Sequence, residues 1–434
     1  LIYETTKCAV AFAVKRFYQT LEVKGYDNVP QSGPIILVSN HPNTLMDPYI
    51  IATQFKRRVG FLGNASIFIN PIAKRILTYF NVIPVYRKQD VKDGQKTDNS
   101  SAFSACYKYL ENNNALLIFP EGTSVKEYRL RKIKTGTARI ALGTEKQNNF
   151  NLGVKILPVG LYYNNPTQFG SKAFMQIGKP IDIKQFKEYY LKDEIEGVQS
   201  LTKVIRKSLT ELTININNKE DEQVFIDLKQ VYKSHLKELN KELKDFEMAK
   251  EMTNAIIYFK TSFPERYKSL KSRIHFCAEY IKDHKLRILE EKPKKRHSFV
   301  SISKLLIGLP LFVFGWLQNA FPFYVPDWLS RKLTNEIEYK ASILVSIGLL
   351  LFPTWYFLSS YLFIQTTSFH WSINLAYIAL LPLSGVFAIK YSNVFKKLKT
   401  AFRSNNTNFA EFKESRKELI TELDKAREIY LNRL

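Results

Sequence analysis

Pro34-Ile35-Ile36-Leu37-Val38-Ser39 runs directly into Asn40-His41-Pro42-Asn43-Thr44-Leu45-Met46-Asp47-Pro48, and the reading of this stretch decides the fold. Its first half carries no charge and reads as a buried strand. A strand that feeds straight into a His and an Asp displays two proton-handling groups at a sheet edge. The His can act as a general base, and a carboxylate about one helical turn away can orient its ring. His41 and Asp47 are therefore the candidate catalytic pair. Asp47 has a second reading, as the N-cap of a helix through Tyr49, Ile50, Ile51 and Ala52 with Pro48 at its first position.

Outward from this stretch, strand-like and helix-like runs alternate. Residues 22–31 read as a short strand and a turn, and 58–63, 81–88, 115–119, 154–162 and 173–180 as further strands. Helices are expected around 66–80, 101–112 and 135–142. The alternation implies an α/β domain with a mostly parallel sheet. Two strand ends carry polar groups. Asn81-Val-Ile-Pro-Val-Tyr-Arg87-Lys88 ends in paired cations suited to a phosphate, which Arg can hold through two bonds. Ala115-Leu-Leu-Ile-Phe119 leads into Pro120-Glu121-Gly122-Thr123-Ser124, which reads as a ligand-contacting loop at a strand's carboxyl end. Lys126, Arg129, Arg131, Lys132 and Lys134 add positive charge beside it. Pro158, inside an apolar run, suggests a bulge or an edge strand.

The 434-residue chain is 45% hydrophobic, 14% aromatic and 24% charged, with a net charge of +24. Such a positive balance implies an acidic partner. The aromatic content and the long apolar runs favour lipid, and no zinc-finger spacing, RNA-binding aromatic signature or basic zipper helix points to nucleic acid. Cys8, Cys106 and Cys277 are far apart and form no metal or disulfide pattern, so buried packing in a reducing compartment is expected. The scattered histidines give no metal site. Residues 1–21 hold an apolar run too short to span a bilayer, followed by Lys15 and Arg16. They read as an interfacial membrane-associated helix or, alternatively, as a helix packed on the domain.

The α/β domain is expected over 22–194 and an amphipathic helical region over 195–300, where Val224, Leu228, Val231, Leu236, Leu239, Leu243 and Phe246 recur at helical spacing. Lys292-Pro-Lys-Lys-Arg-His297 reads as a basic hinge facing anionic headgroups. The membrane region covers 301–400. Within it, 342–364 and 372–389 read as a transmembrane hairpin. Residues 303–325 read as re-entrant or interfacial, because three spans would put the two basic flanks on opposite sides. Residues 401–434 read as a C-terminal amphipathic helix that makes a partner or dimer contact.

Asn40-His41 with Asp47, then Ile83-Pro-Val-Tyr-Arg87, Phe119-Pro-Glu-Gly-Thr-Ser124 and Leu157-Pro-Val-Gly160 together resemble the phospholipid/glycerol acyltransferases, the PlsC-like lysophosphatidate and glycerol-3-phosphate acyltransferase family. The four blocks stand in the family's order over roughly 25–165. The family's commonest first block has four residues between His and Asp. Here there are five, a form that looks like the yeast-type glycerol-phosphate/dihydroxyacetone-phosphate enzymes.

The resemblance implies a membrane-bound O-acyltransferase of phospholipid biosynthesis. It would move a fatty acyl group from an acyl-CoA or acyl-ACP thioester, a co-substrate, to a phosphate-bearing lipid acceptor. That acceptor would be glycerol 3-phosphate or 1-acyl-sn-glycerol-3-phosphate, and no other cofactor is implied. It makes His41 the base and Asp47 its orienter, and puts Asn43, Arg87, Glu121, Gly122, Thr123 and Pro158 among the substrate contacts. The expected location is a multi-pass protein at the cytoplasmic face of the inner or cell membrane. The contrasting expectation is a catalytically silent membrane scaffold on the same fold.

Overall fold

The computed structural model describes residues 2–86, 99–240, 242, 244–284, 295–403 and 408–433. Among them, eight strands form one sheet: β1 (Tyr18–Lys24), β2 (Ile35–Ser39), β3 (Val59–Asn64), β4 (Val82–Val85), β5 (Ala115–Ile118), β6 (Lys155–Tyr163), β7 (Ser171–Ile177) and β8 (Ile181–Asp182). The order is β1-β7-β6-β2-β5-β3-β4, with β8 also paired to β6. β2 sits between β5 and β6 and is parallel to both. Only the pairings of β6 with β7 and with β8 are antiparallel among the described strands. The sheet is thus mostly parallel, as the alternation in the sequence implies.

All five residues of β2 are buried, and both of its faces are covered. This is why the strand reads as an unbroken apolar run. The helices that follow in the chain are α1 (Ile2–Phe17), α2 (Met46–Gln54), α3 (Pro71–Tyr79), α4 (Ser100–Glu111), α5 (Gly136–Gln147), α6 (Lys187–Lys192) and α7 (Glu194–Leu212). Ile36 and Val38 pack in one core with Cys106 and Leu110 of α4, Ile140 of α5, and Leu201, Ile205 and Leu209 of α7. Ile35 and Leu37 pack in the other with Val14 of α1 and with Met46, Ile50 and Ile51 of α2.

The first compact unit is Leu1–Asn215 together with Ser330–Leu349. It runs past the boundary at 194 expected from the sequence because α7 lays Leu201, Ile205 and Leu209 on the sheet. It also takes in a distant segment, whose Ala341 and Val345 join the α1/α2 core. α1 buries Tyr3, Val10, Val14 and Phe17 against the domain and leaves Ile2 and Phe12 exposed.

Three local expectations are corrected. Pro158 lies in the interior strand β6, paired with Val38 of β2. Its carbonyl accepts from Gly178 N at 2.8 Å, where the antiparallel neighbour changes from β7 at Val159 to β8 at Ile156. Asp47 is not an N-cap: α2 is capped at Leu45 and Asp47 lies within its first turn. Cys8 is exposed, while Cys106 and Cys277 are buried.

The second unit is Ile216–Leu329 with Leu350–Leu434. Its helices are α8 (Lys219–Leu239), α9 (Asp245–Ser262), α10 (Pro264–Asp283), α11 (Lys295–Leu333), α12 (Lys340–Thr366), α13 (Trp371–Arg403) and α14 (Asn408–Leu431), of which α11 and α12 contribute their shared end to the first unit. α8, α9 and α10 pack together, and α14 joins them through Leu419, Leu423 and Tyr430. Residues 292–294 of the basic hinge lie outside the described residues.

Ser303–Leu333, Ile337–Thr366 and Trp371–Lys396 are each long and apolar enough to cross a membrane. The 303–325 stretch contains no re-entrant turn. It is continuous helix despite Pro310, Pro322 and Pro326. Small residues and side-chain bonds replace the usual apolar drive for helix packing there. A Cβ on Gly315 would overlap the Ser384 carbonyl, and the Asn319 amide donates to the Leu381 carbonyl at 3.1 Å.

Candidate active site

Parallel strands β2 and β5 are neighbours, so their carboxyl ends deliver His41 and the Phe119–Ser124 loop side by side. Several bonds lock the two loops. The His41 carbonyl accepts from Val125 N at 3.1 Å, and His41 N donates to Glu121 Oε1 at 3.2 Å. The His41 ring stacks on Phe119, with centroids 3.8 Å apart and planes 11° from parallel. On the other flank, Asn40 bonds both backbone groups of Leu161 in β6, accepting at 2.8 Å and donating at 3.0 Å.

His41 Nδ1 lies 2.8 Å from Asp47 Oδ2. The His41 side chain is 18% exposed and that of Asp47 is fully buried. Two further donors converge on Asp47: Asn43 N reaches Oδ2 at 2.8 Å, and the Tyr163 hydroxyl reaches Oδ1 at 2.6 Å. A buried carboxylate needs such partners to offset the loss of water. Burial, followed by the charge of Asp47, holds the Tyr163 hydroxyl well above its ordinary range, so it stays a donor. With Nδ1 engaged, Nε2 is the ring nitrogen left to exchange a proton.

Five residues separate His41 from Asp47, and the backbone must fold back to bring them together. Thr44 adopts a left-handed conformation at φ 36°, and turn bonds run from Met46 N to the Asn43 carbonyl (2.9 Å) and from Asp47 N to the Thr44 carbonyl (3.3 Å).

The remaining expected residues divide. Gly122 and Thr123 stand at the site, half-buried. Gly122 has φ 76°, its N–H closes a turn on the Phe119 carbonyl, and Lys134 lies across it so closely that a Cβ would stand 2.5 Å from Lys134 Nζ. Lys134, named from the sequence only as one of a cluster, is thus beside the loop.

The Glu121 carboxylate is occupied by backbone. Its second oxygen accepts from Arg131 N at 3.0 Å, so it ties the His41 loop to the basic loop, where the resemblance implied a substrate contact. Burial pushes its carboxyl above the ordinary range. Arg87 lies outside the described residues. Arg129 and Arg131 both close on Glu127, at 3.0 Å each, leaving one net positive charge for the three groups. The Arg131 bond, first of all, holds the Glu127 carboxyl below its ordinary range.

Asn43 and Pro158 are corrected. Asn43 is fully buried, with its amide donating to the Tyr18 hydroxyl (2.9 Å) and the Pro166 carbonyl (3.2 Å), so it props Asp47 and offers no surface to a substrate. Pro158 is buried in β6. Phe119, Tyr163 and Tyr18 were missed as site residues. The one available signal was the Tyr162-Tyr163 pair closing the strand that carries the Leu157–Gly160 block.

Residues 20–162 match the family described as Acyltransferase. The matched segment is similar to acyltransferase domains. It includes β2, β5, His41, Asp47 and the Glu121 loop. The chain is 24% identical over 302 residues to glycerol-3-phosphate O-acyltransferase 1 of Saccharomyces cerevisiae, covering 50% of this chain and 40% of that protein. It is 26% identical over 194 residues to the 1-acyl-sn-glycerol-3-phosphate acyltransferase of Borreliella burgdorferi, covering 43% and 69%. Among solved structures, the 1-acyl-sn-glycerophosphate acyltransferase PlsC of Thermotoga maritima aligns at a TM-score of 0.36 and 22% identity, over 50% of this chain and 81% of that one. The chain spans less than half the length of the first curated relatives that its acyltransferase domain matches.

Proposed function

We propose that the chain is a membrane-bound O-acyltransferase of glycerolipid synthesis, moving a fatty acyl group from an acyl-CoA or acyl-ACP thioester to a glycerol-phosphate-type acceptor. The carrying observation is the 2.8 Å contact between His41 Nδ1 and buried Asp47, on a ring that keeps 18% of its surface exposed. Asp47 holds the tautomer protonated at Nδ1, which leaves the Nε2 lone pair to take the acceptor's hydroxyl proton. The alkoxide oxygen attacks the thioester carbonyl, the C–S bond breaks, and the imidazolium returns the proton to the departing thiolate. No enzyme nucleophile is needed.

Lys134 beside Gly122, and the net positive Arg129/Glu127/Arg131 cluster, supply charge for the acceptor's phosphate. The three long apolar helices support a membrane location, and the yeast relative's name supports glycerol 3-phosphate as the first acceptor to try.

The test is transfer of a labelled acyl group by the full chain in phospholipid vesicles, from palmitoyl-coenzyme A to glycerol 3-phosphate, dihydroxyacetone phosphate or 1-acyl-glycerol 3-phosphate. His41→Ala and Asp47→Asn are expected to abolish transfer without releasing the protein from the vesicles. Normal turnover by His41→Ala would overturn the assignment, and a wild-type chain inert toward every acceptor would favour the silent scaffold.

A further inference from the structure

Thr44 is a β-branched residue at φ 36°, in the left-handed region that such side chains avoid. A residue held there is strained and persists only where its surroundings over-determine it. Three groups of the α/β domain and its appended segment do so. Thr44 N donates to Ser124 Oγ at 2.8 Å, in the loop after β5. The Thr44 hydroxyl lies 3.0 Å from the Glu338 carbonyl and 2.6 Å from Ser342 Oγ. One proton arrangement satisfies both contacts: Thr44 donates to the Glu338 carbonyl and accepts from Ser342. Thr44 and Ser342 are 5% and 2% exposed, so water does not compete for these bonds. Further along, the hydroxyls of Tyr49 in α2 and Ser346 in α12 meet at 3.1 Å.

Glu338, Ser342 and Ser346 stand some 300 residues downstream of Thr44, in the Ser330–Leu349 segment that belongs to the same compact unit as the sheet. These three residues lie outside the matched region 20–162, which supplies the Ser124 contact.

We propose that Ser342 is a positioning residue for acyl transfer: with the Glu338 carbonyl, it holds Thr44 left-handed and so lets a five-residue spacing bring His41 to Asp47. The inference rests on the acyltransferase reading. On this account the start of α12 is part of the machinery that sets the catalytic pair. It touches neither substrate nor reacting atoms and acts only through the 40–47 loop.

The experiment compares Ser342→Ala, Thr44→Val, Thr44→Gly and the double variant Ser342→Ala/Thr44→Gly, all in the full chain in vesicles, with palmitoyl-coenzyme A and glycerol 3-phosphate as substrates. Ser342→Ala and Thr44→Val are each expected to lower kcat about tenfold, the change in barrier that one buried hydrogen bond can make, with both KM values within twofold. Glycine adopts a positive φ without strain. In the Thr44→Gly background, therefore, Ser342→Ala should cost less than about twofold. A purely structural role for Ser342 in helix packing would give the same loss in both backgrounds, and that result overturns the proposal, as does full activity of Ser342→Ala. His41→Ala run alongside separates the two levels: if it stays active, the acyltransferase reading itself fails. If it is inactive and Ser342→Ala is normal, only the positioning role fails.

Discussion

The Tyr163 hydroxyl donates to Asp47 Oδ1 at 2.6 Å, on the carboxylate oxygen that His41 does not use. Tyr163 ends β6 and Asp47 lies in the first turn of α2, so the strand beside β2 fixes the carboxylate that the His41 ring meets. Tyr163→Phe removes the donor and leaves one oxygen of a buried carboxylate unsatisfied, a loss of about 1–3 kcal/mol. The expected outcome is a lower melting temperature and a kcat reduced about tenfold, with KM for both substrates nearly unchanged. The Tyr163 hydroxyl itself titrates well above its ordinary range. Steady-state kinetics and thermal melts check this, and a lower melting temperature with kcat unchanged would assign Tyr163 to packing alone.

How much of this site is legible in the sequence follows from how local each contact is. His41, Asp47 and the Glu121 loop were visible because each stands at the end of an apolar strand, and parallel strands deliver their carboxyl ends to one edge. That β2 and β5 are neighbours was not visible, since strand order leaves no local trace. Asn43 and Pro158 were misassigned for a related reason: a polar residue in a motif looks the same whether it faces a ligand or, like Asn43, is sealed beneath Asp47. Tyr18, Tyr163 and Ser342 act through bonds to residues 25, 116 and 298 positions away, and no periodicity or spacing signals such partners. The helix-cap reading of Asp47 failed because the turn at Thr44 starts α2 earlier, at Met46.

Glu121 accepts from two backbone N–H groups, yet burial outweighs them and raises its carboxyl above the ordinary value of 4.5. Between that value and the raised one, the native state holds more protons than the unfolded state, so stability falls as pH rises through the window and is flat above it. Glu121→Gln should remove this slope. Its amide nitrogen must also face one of the two donors, His41 N or Arg131 N, so one backbone bond is lost. The expected result is a flatter melting-temperature profile as pH rises from 4.5 together with a several-fold loss of kcat. An unchanged slope would mean that another carboxyl produces it.

Lys134 is the cation that the fold brings against the Glu121-Gly122 turn. Lys134→Ala takes a charge from the candidate phosphate position without touching His41 or Asp47. KM for glycerol 3-phosphate should rise about tenfold, as expected for one charge-assisted bond to phosphate, while kcat stays within about threefold. KM for the acyl donor should not move. Measuring both KM values under saturating co-substrate discriminates the roles: a rise confined to the donor would transfer Lys134 to thioester binding.

Gly160 closes the Leu157–Gly160 block for a reason that lies in α7. A Cβ at residue 160 would overlap the Leu212 main-chain carbonyl and would also meet the Leu212 Cβ at 2.8 Å. The overlap that matters is with backbone at the end of a 19-residue helix whose Leu201, Ile205 and Leu209 are locked in the core, so it cannot be relieved by a rotamer change. Gly160→Ala should therefore destabilise the first unit by about 1–3 kcal/mol, as overpacking of a filled core does. For a unit of this size that lowers the melting temperature by roughly 2–10 °C. Because the clash is with a carbonyl, shrinking the neighbouring side chain should give no rescue: Gly160→Ala/Leu212→Ala should melt below either single variant. Thermal melts of the four proteins in detergent decide it. Recovery of wild-type stability in the double variant would show that the Leu212 side chain, and not the helix backbone, sets the requirement for glycine.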